Sequence, residues 1–174
     1  MSEGGRSSIA CPRVSPARPE VYIPGSLFDE LIHVCLFSLP HKAYGLIGGE
    51  DLYHPKSIYR CSTNLRNEPE WKAVFESYGE FYLNPDLGFV ISAMEVKEVQ
   101  DVMASRGESF VGVFHSHRYL PAEPTPLDVA LNMSANMVSY IVSVVDPSDP
   151  VVRAFYLAGD GCRNIPIIRI PNRE

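Results

Sequence analysis

From Pro24 onward the apolar residues Leu27, Phe28, Leu31, Ile32, Cys35 and Leu36 recur at helical spacing, which predicts a helix laid across one face of a sheet, with Pro40 ending it. Ala43 to Gly49 is a short apolar run read as a buried strand whose glycines allow close backbone approach. It carries no Gly-Lys-Ser/Thr, which argues against a phosphate loop. Leu52 to Cys61 is expected to be the next strand. Ser62 to Tyr82 reads as an irregular loop whose Trp71, Phe75, Tyr78 and Phe81 fold down onto the core or, alternatively, wall a groove.

Asn84-Pro85-Asp86 opens a second long helix in this reading, with Ile91, Met94, Val99, Val102 and Met103 inward, Glu95, Lys97, Glu98 and Asp101 solvated, and Gly107 closing it. Phe110 to His117 follows as a strand. Pro124-Thr125-Pro126-Leu127-Asp128 is a loop turning into a helix, with Thr125 as N-cap and Pro126 at the first helical position. Val138 to Val145, Val151 to Leu157 and Ile165 to Ile170 are apolar runs bounded by Asp146-Pro147, Gly159-Asp160-Gly161 and Pro171, and read as sheet strands. The expected fold is α/β: a single-domain mixed β-sheet flanked by helices, without an internal repeat.

Composition narrows the picture. The 174 residues fit one domain, taken as 20–174, behind a tail over 1–19 too rich in Pro, Ser, Gly and Arg to order itself. Net charge is -6, with no basic stripe, so nucleic acid is disfavoured as a partner. No apolar run approaches the roughly 18 residues of a membrane span and no secretory h-region is visible, which leads us to expect a cytoplasmic protein with no membrane partner. Cys11, Cys35, Cys61 and Cys162 are widely separated and suggest neither a zinc knuckle nor a disulfide framework; Cys35 belongs to the apolar helical face. Of the remaining histidines, His33, His41 and His54, none shows ligand spacing to another, and only His41 stands beside a motif segment.

The chemistry concentrates in His115-Ser116-His117 and the Thr125-x-x-Asp128 that follows. On a strand, side chains at i and i+2 share a face, so both imidazoles project together. The turn before the short helix would return Asp128 over the strand end. Two histidines and a carboxylate leave one tetrahedral position open, the arrangement of a catalytic zinc. A plain capping pair at Thr125 and Asp128 is the alternative, and the two roles are compatible.

These residues resemble the core signature of the JAMM (MPN+) metallopeptidase family: His-x-His, seven residues, then Ser-x-x-Asp, with an upstream Glu ahead of a Gly-rich strand. The resemblance runs from about Val21 to Ile170 and implies a JAMM/MPN, cytidine-deaminase-like architecture in a stand-alone, bacterial-type member. It makes His115, His117 and Asp128 ligands of Zn2+ and places Thr125 where the family has a serine that hydrogen-bonds the developing oxyanion. Arg118 stands where the family often has proline and puts a cation at the cleft rim; Arg118 and Glu123 are expected to meet substrate. The implied activity is hydrolysis of a peptide, isopeptide or related amide, either on the C-terminal tail of a ubiquitin-like sulfur-carrier protein or on a small-molecule amide.

One departure is chemical. The family's general-base Glu aligns with Lys42, in Lys42-Ala43-Tyr44-Gly45. An ammonium accepts no proton. Lys42 is then a neutral base desolvated beside a dication, an acid or clamp, or an ordinary strand-end lysine; Glu123 or Glu50 would be the substitute base, or hydrolysis is lost and the protein is a metal-binding module.

Overall fold

The computed structural model describes residues 19–84, 87–131, 137–158 and 161–172. The expected tail, Cys11, Pro85-Asp86 and Gly159-Asp160 lie outside them, except for Pro19 at the tail's end.

Chain order is β1 (Val21–Pro24), α1 (Gly25–Phe37), β2 (Tyr44–Gly49), β3 (Pro55–Arg60), α2 (Pro69–Ser77), α3 (Ala93–Ser105), β4 (Ser109–His117), α4 (Pro126–Ala130), β5 (Val138–Ser143), β6 (Val151–Ala158), β7 (Gly161–Ile165) and β8 (Ile167–Ile170). The main sheet runs β3-β2-β4-β5-β6-β7, antiparallel except for the β4/β5 pair, while β1 and β8 form a separate parallel pair. This is the expected α/β architecture, a mixed sheet with helices on it.

The strand period of two sends alternate β4 residues to opposite faces. Phe114 faces α1 and joins Leu27, Leu31, Cys35, Ile47, Val138, Tyr140 and Val142 in the largest core cluster. Val113 faces the other way and packs with Tyr44, Leu46, Cys61 and Met103 beneath α3. Burying each Leu, Ile or Phe contributes about 1.5–3 kcal/mol before entropy is counted. Gly45 shows why this strand needs glycine: a Cβ there would run into the Tyr59 carbonyl oxygen and lie 2.7 Å from the Phe114 ring.

Several expectations need correction. Residues 62–82 are not an irregular loop, because Pro69 at the first position starts the regular helix α2, which is flanked by 3-10 turns at Leu65–Asn67 and Glu80–Leu83. Phe75 is buried from it, as the core reading required, while Tyr78 is exposed. The second long helix starts at Ala93 rather than near Asn84, since the Ser92 hydroxyl accepts the Glu95 N–H and supplies the N-cap. Its inward stripe is Val96, Val99 and Met103. Met94, about 140° round the helix from Val99, is 72% exposed, and Val102 is exposed as well. The third strand begins at Pro55, after a turn in which Asp51 Oδ1 accepts the Tyr53 N–H at 2.8 Å. Pro166, without an N–H, splits the expected Ile165–Ile170 strand, so that β8 leaves the main sheet for β1. Among the described residues no helix is long and apolar enough to cross a membrane.

Candidate metal centre

β4 ends on the α3 face of the sheet with His115 and His117, each almost wholly buried. The chain then turns through residues 118–125 into α4 before returning as β5, parallel to β4 with His117 opposite Ser143. The crossover brings Asp128 back over the strand end. His115 Nε2 lies 3.3 Å from Asp128 Oδ1, His117 Nε2 lies 3.5 Å from Asp128 Oδ2, and the two Nε2 atoms are 3.0 Å apart. These three residues form the candidate ion-binding group found among the described residues.

The spacing fits a small tetrahedral ion. Donors about 2.0–2.1 Å from a central zinc stand ~3.3 Å apart along each tetrahedral edge. Tautomer control points the same way: His117 Nδ1 is 2.8 Å from the Pro121 carbonyl oxygen, which only accepts. Nδ1 therefore carries the proton and Nε2 presents its lone pair to the cluster. Burial pushes His115 down to about 4, against the pull of Asp128, so its imidazole is neutral at pH 7. Burial works to raise the Asp128 carboxyl but is outweighed by the two imidazoles and by Lys42, which hold it well below the usual carboxylate value.

Thr125 caps α4 and orients this carboxylate together. Asp128 Oδ2 accepts from the Thr125 hydroxyl at 2.7 Å and from the Thr125 N–H at 2.8 Å, while the Asp128 N–H donates to Thr125 Oγ1. The contacts that cap the helix also hold the carboxylate towards the two imidazoles. The hydroxyl proton assigned by resemblance to an oxyanion is directed here at Asp128.

Lys42 lies beside the centre. The Ser116 hydroxyl accepts the Ala43 N–H at 2.8 Å and the Ser116 N–H donates to the Ala43 carbonyl at 2.8 Å, clamping the approach to β2 against the end of β4. Lys42 Nζ sits 5.6 Å from the Phe89 ring centroid, and the Phe89 ring in turn lies 5.5 Å from that of His115. Burial lowers the ammonium to about 8, partly opposed by Asp128.

A narrow cleft opens beside the centre, lined by Lys42, His117, Thr125 and Asp128 together with Pro40, Tyr82, Leu87, Gly88, Arg118, Tyr119 and Leu120. Arg118 stands on its wall, donating to the Pro40 carbonyl at 2.8 Å. Glu123 lies elsewhere: it pairs with Arg153 and lines a separate groove with Asn164 and Ile167. Glu50 pairs with Lys56 at the far end of β2 from Lys42. Neither carboxylate replaces Lys42 beside the centre. His33 and His41 are exposed, and His54 pairs with Asp51.

Sequence reasoning missed Ser116, the Pro121 carbonyl and the wall residues Leu87 and Gly88. Ser116 carried a usable signal: strand alternation points a residue between two same-face histidines towards the opposite side of the strand. Pro121 carried none, because its backbone oxygen acts only once the turn is folded.

No family model matches the chain, and no curated protein does. Solved structures share the fold. A protein from Desulfitobacterium hafniense, 23% identical, gives a TM-score of 0.68 over 88% of this chain and 95% of that one. One from Salinibacter ruber, 21% identical, gives 0.59 over 86% and 92%. A JAB1/MPN domain protein from Archaeoglobus fulgidus is more distant, 14% identical with a TM-score of 0.49 over 86% and 98%. Fold and site together define an α/β domain with two imidazoles and a carboxylate converging at a cleft.

Proposed function

We propose that the protein is a zinc-dependent amide hydrolase of the JAMM (MPN+) type. One observation carries the reading: three donors from β4 and α4 stand 3.0–3.5 Å apart, near the tetrahedral edge of a zinc site, and two of them, His117 and Asp128, line a cleft. The motif order, His-x-His followed by Thr-x-x-Asp, supports the family assignment.

His115, His117 and Asp128 would hold the ion, which when bound supplies Lewis acidity towards a carbonyl and lowers the pKa of a water to about 7. The chain does the rest. Pro121 fixes the His117 tautomer and Thr125 fixes the rotamer of Asp128, so both donors are set in advance. Leu87, Leu120 and Tyr119 wall the cleft above them, with apolar surface for the substrate backbone. Lys42 brings a positive charge and proton donors where the family has a carboxylate.

That exchange favours a second reading, a metal-holding protein that binds its target or runs redirected chemistry without hydrolysis. The substrates in view are the C-terminal tail of a ubiquitin-like or sulfur-carrier protein and a small-molecule amide. The test is zinc content by elemental analysis together with cleavage of a ubiquitin-like protein bearing a C-terminal extension, by wild type, His117→Ala and Lys42→Glu. Cleavage by wild type and loss in His117→Ala support the hydrolase. Zinc in wild type with cleavage only by Lys42→Glu supports the second reading, and absence of zinc ends both.

A further inference from the structure

The two imidazoles of the centre are held in different ways. His117 donates its Nδ1 proton to the Pro121 carbonyl oxygen at 2.8 Å. His115 has no such acceptor among the described residues: its polar contacts run from Nε2, to His117 Nε2 and to Asp128 Oδ1. An imidazole ligand is usually oriented by a hydrogen bond on its outer nitrogen. For His115 that role falls to packing. Besides His117, the ring set against it is Phe89, with centroids 5.5 Å apart and planes inclined at 48°.

Phe89 is itself fixed from behind. Its ring stacks on Tyr44 at 4.7 Å and 12°, and the Tyr44 hydroxyl donates to the Ser62 carbonyl oxygen at 3.2 Å. The next residue is bracketed on both sides: the Val90 N–H donates to Asn64 Oδ1 at 3.0 Å, and the Val90 carbonyl oxygen accepts the Leu65 N–H at 2.8 Å. Phe89 also packs on the cluster of Tyr44, Leu46, Cys61 and Met103. Tyr44, Phe89 and His115 thus form a continuous run of rings from β2 to the ligand.

We propose that Phe89 is a positioning residue of the metal centre: its flat ring sets the plane of His115 and keeps Nε2 turned towards the ion, as the Pro121 carbonyl does for His117. The proposal rests on the metal site common to both functional readings and not on hydrolysis. An aliphatic side chain would fill the same space without presenting a flat face, so shape rather than apolar bulk is what the centre uses.

Three measurements on wild type, Phe89→Leu and Phe89→Tyr test it: zinc affinity by chelator competition, d–d absorption of the cobalt-loaded protein, and the His115 ring-proton resonances of the metal-free protein. Urea unfolding of the metal-free proteins checks the fold, and Phe89→Met replaces Phe89→Leu should the latter not fold. Phe89→Leu is expected to lower zinc affinity by about tenfold or more. Its cobalt bands should shift, and the His115 ring protons, one sharp set in wild type, should broaden or double. Phe89→Tyr should restore all three. Unchanged zinc affinity or unchanged cobalt bands in Phe89→Leu overturn the proposal, as does a Phe89→Tyr protein as impaired as Phe89→Leu. Wild type that takes up neither zinc nor cobalt ends the metal reading, and the metal-free resonances then decide alone: sharp His115 signals in Phe89→Leu overturn the role of Phe89, and broadened ones leave it standing.

Discussion

Thr125 and Asp128 are joined in both directions: the Thr125 hydroxyl donates to Asp128 Oδ2 at 2.7 Å and accepts from the Asp128 N–H at 3.2 Å. The same Oδ2 faces His117 Nε2 at 3.5 Å, so the helix cap and the candidate ligand are one device. Thr125→Val, nearly isosteric, removes both hydrogen bonds of the hydroxyl. It is expected to cost about 1 kcal/mol of stability through the lost cap. Zinc affinity should fall by about 10–100-fold, as for other groups that orient a ligand, in a competition titration against a chromophoric chelator.

Gly88 carries the cleft wall. Its φ is +73, and a Cβ there would run into the Phe75 ring, itself buried beneath the Arg66 guanidinium at 4.5 Å. Gly88→Ala should lower stability by more than about 1 kcal/mol in urea unfolding, because both the backbone and the packing resist it. Weaker peptide binding in the surviving folded fraction, with zinc content unchanged, is expected from a wall displaced at Leu87 and Gly88.

Helix α1, the strand alternation and the grouping of His115, His117 and Asp128 were legible because each rests on local spacing: the apolar stripe of α1, the i and i+2 histidines of β4, and the proline after the Thr125 cap. What sequence could not supply was tertiary. Glu123 is close to the motif along the chain, yet the turn after β4 sends it to Arg153 and a separate groove. Helix α2 is the exception, since its start is marked locally by Pro69, whose fixed φ suits a first helical position. Pro166 divided a continuous apolar run between two sheets for want of one N–H.

The cysteines offer a check on the packing. Burial pushes Cys35 up to about 12, with Lys42 opposing, and burial together with Glu95 pushes Cys61 up to about 12. At pH 8 roughly one in 10⁴ of either thiol is thiolate, the form that reacts. Exposed Cys162 should be alkylated by iodoacetamide within minutes while Cys35 and Cys61 stay unmodified until urea unfolds the chain, as read by peptide mass spectrometry. Rapid native labelling of Cys35 would contradict the packing of α1 on the sheet.

The proposed function requires that His115, His117 and Asp128 together hold one zinc ion. Zinc-edge X-ray absorption of the loaded protein reads the donor set itself, with His115→Ala as control. Nitrogen and oxygen donors alone at about 2.0–2.1 Å, an outer-shell imidazole pattern, and loss of the zinc in the control are expected. Sulfur at about 2.3 Å, or the same spectrum from His115→Ala, would place the metal on other residues and end the zinc-site reading.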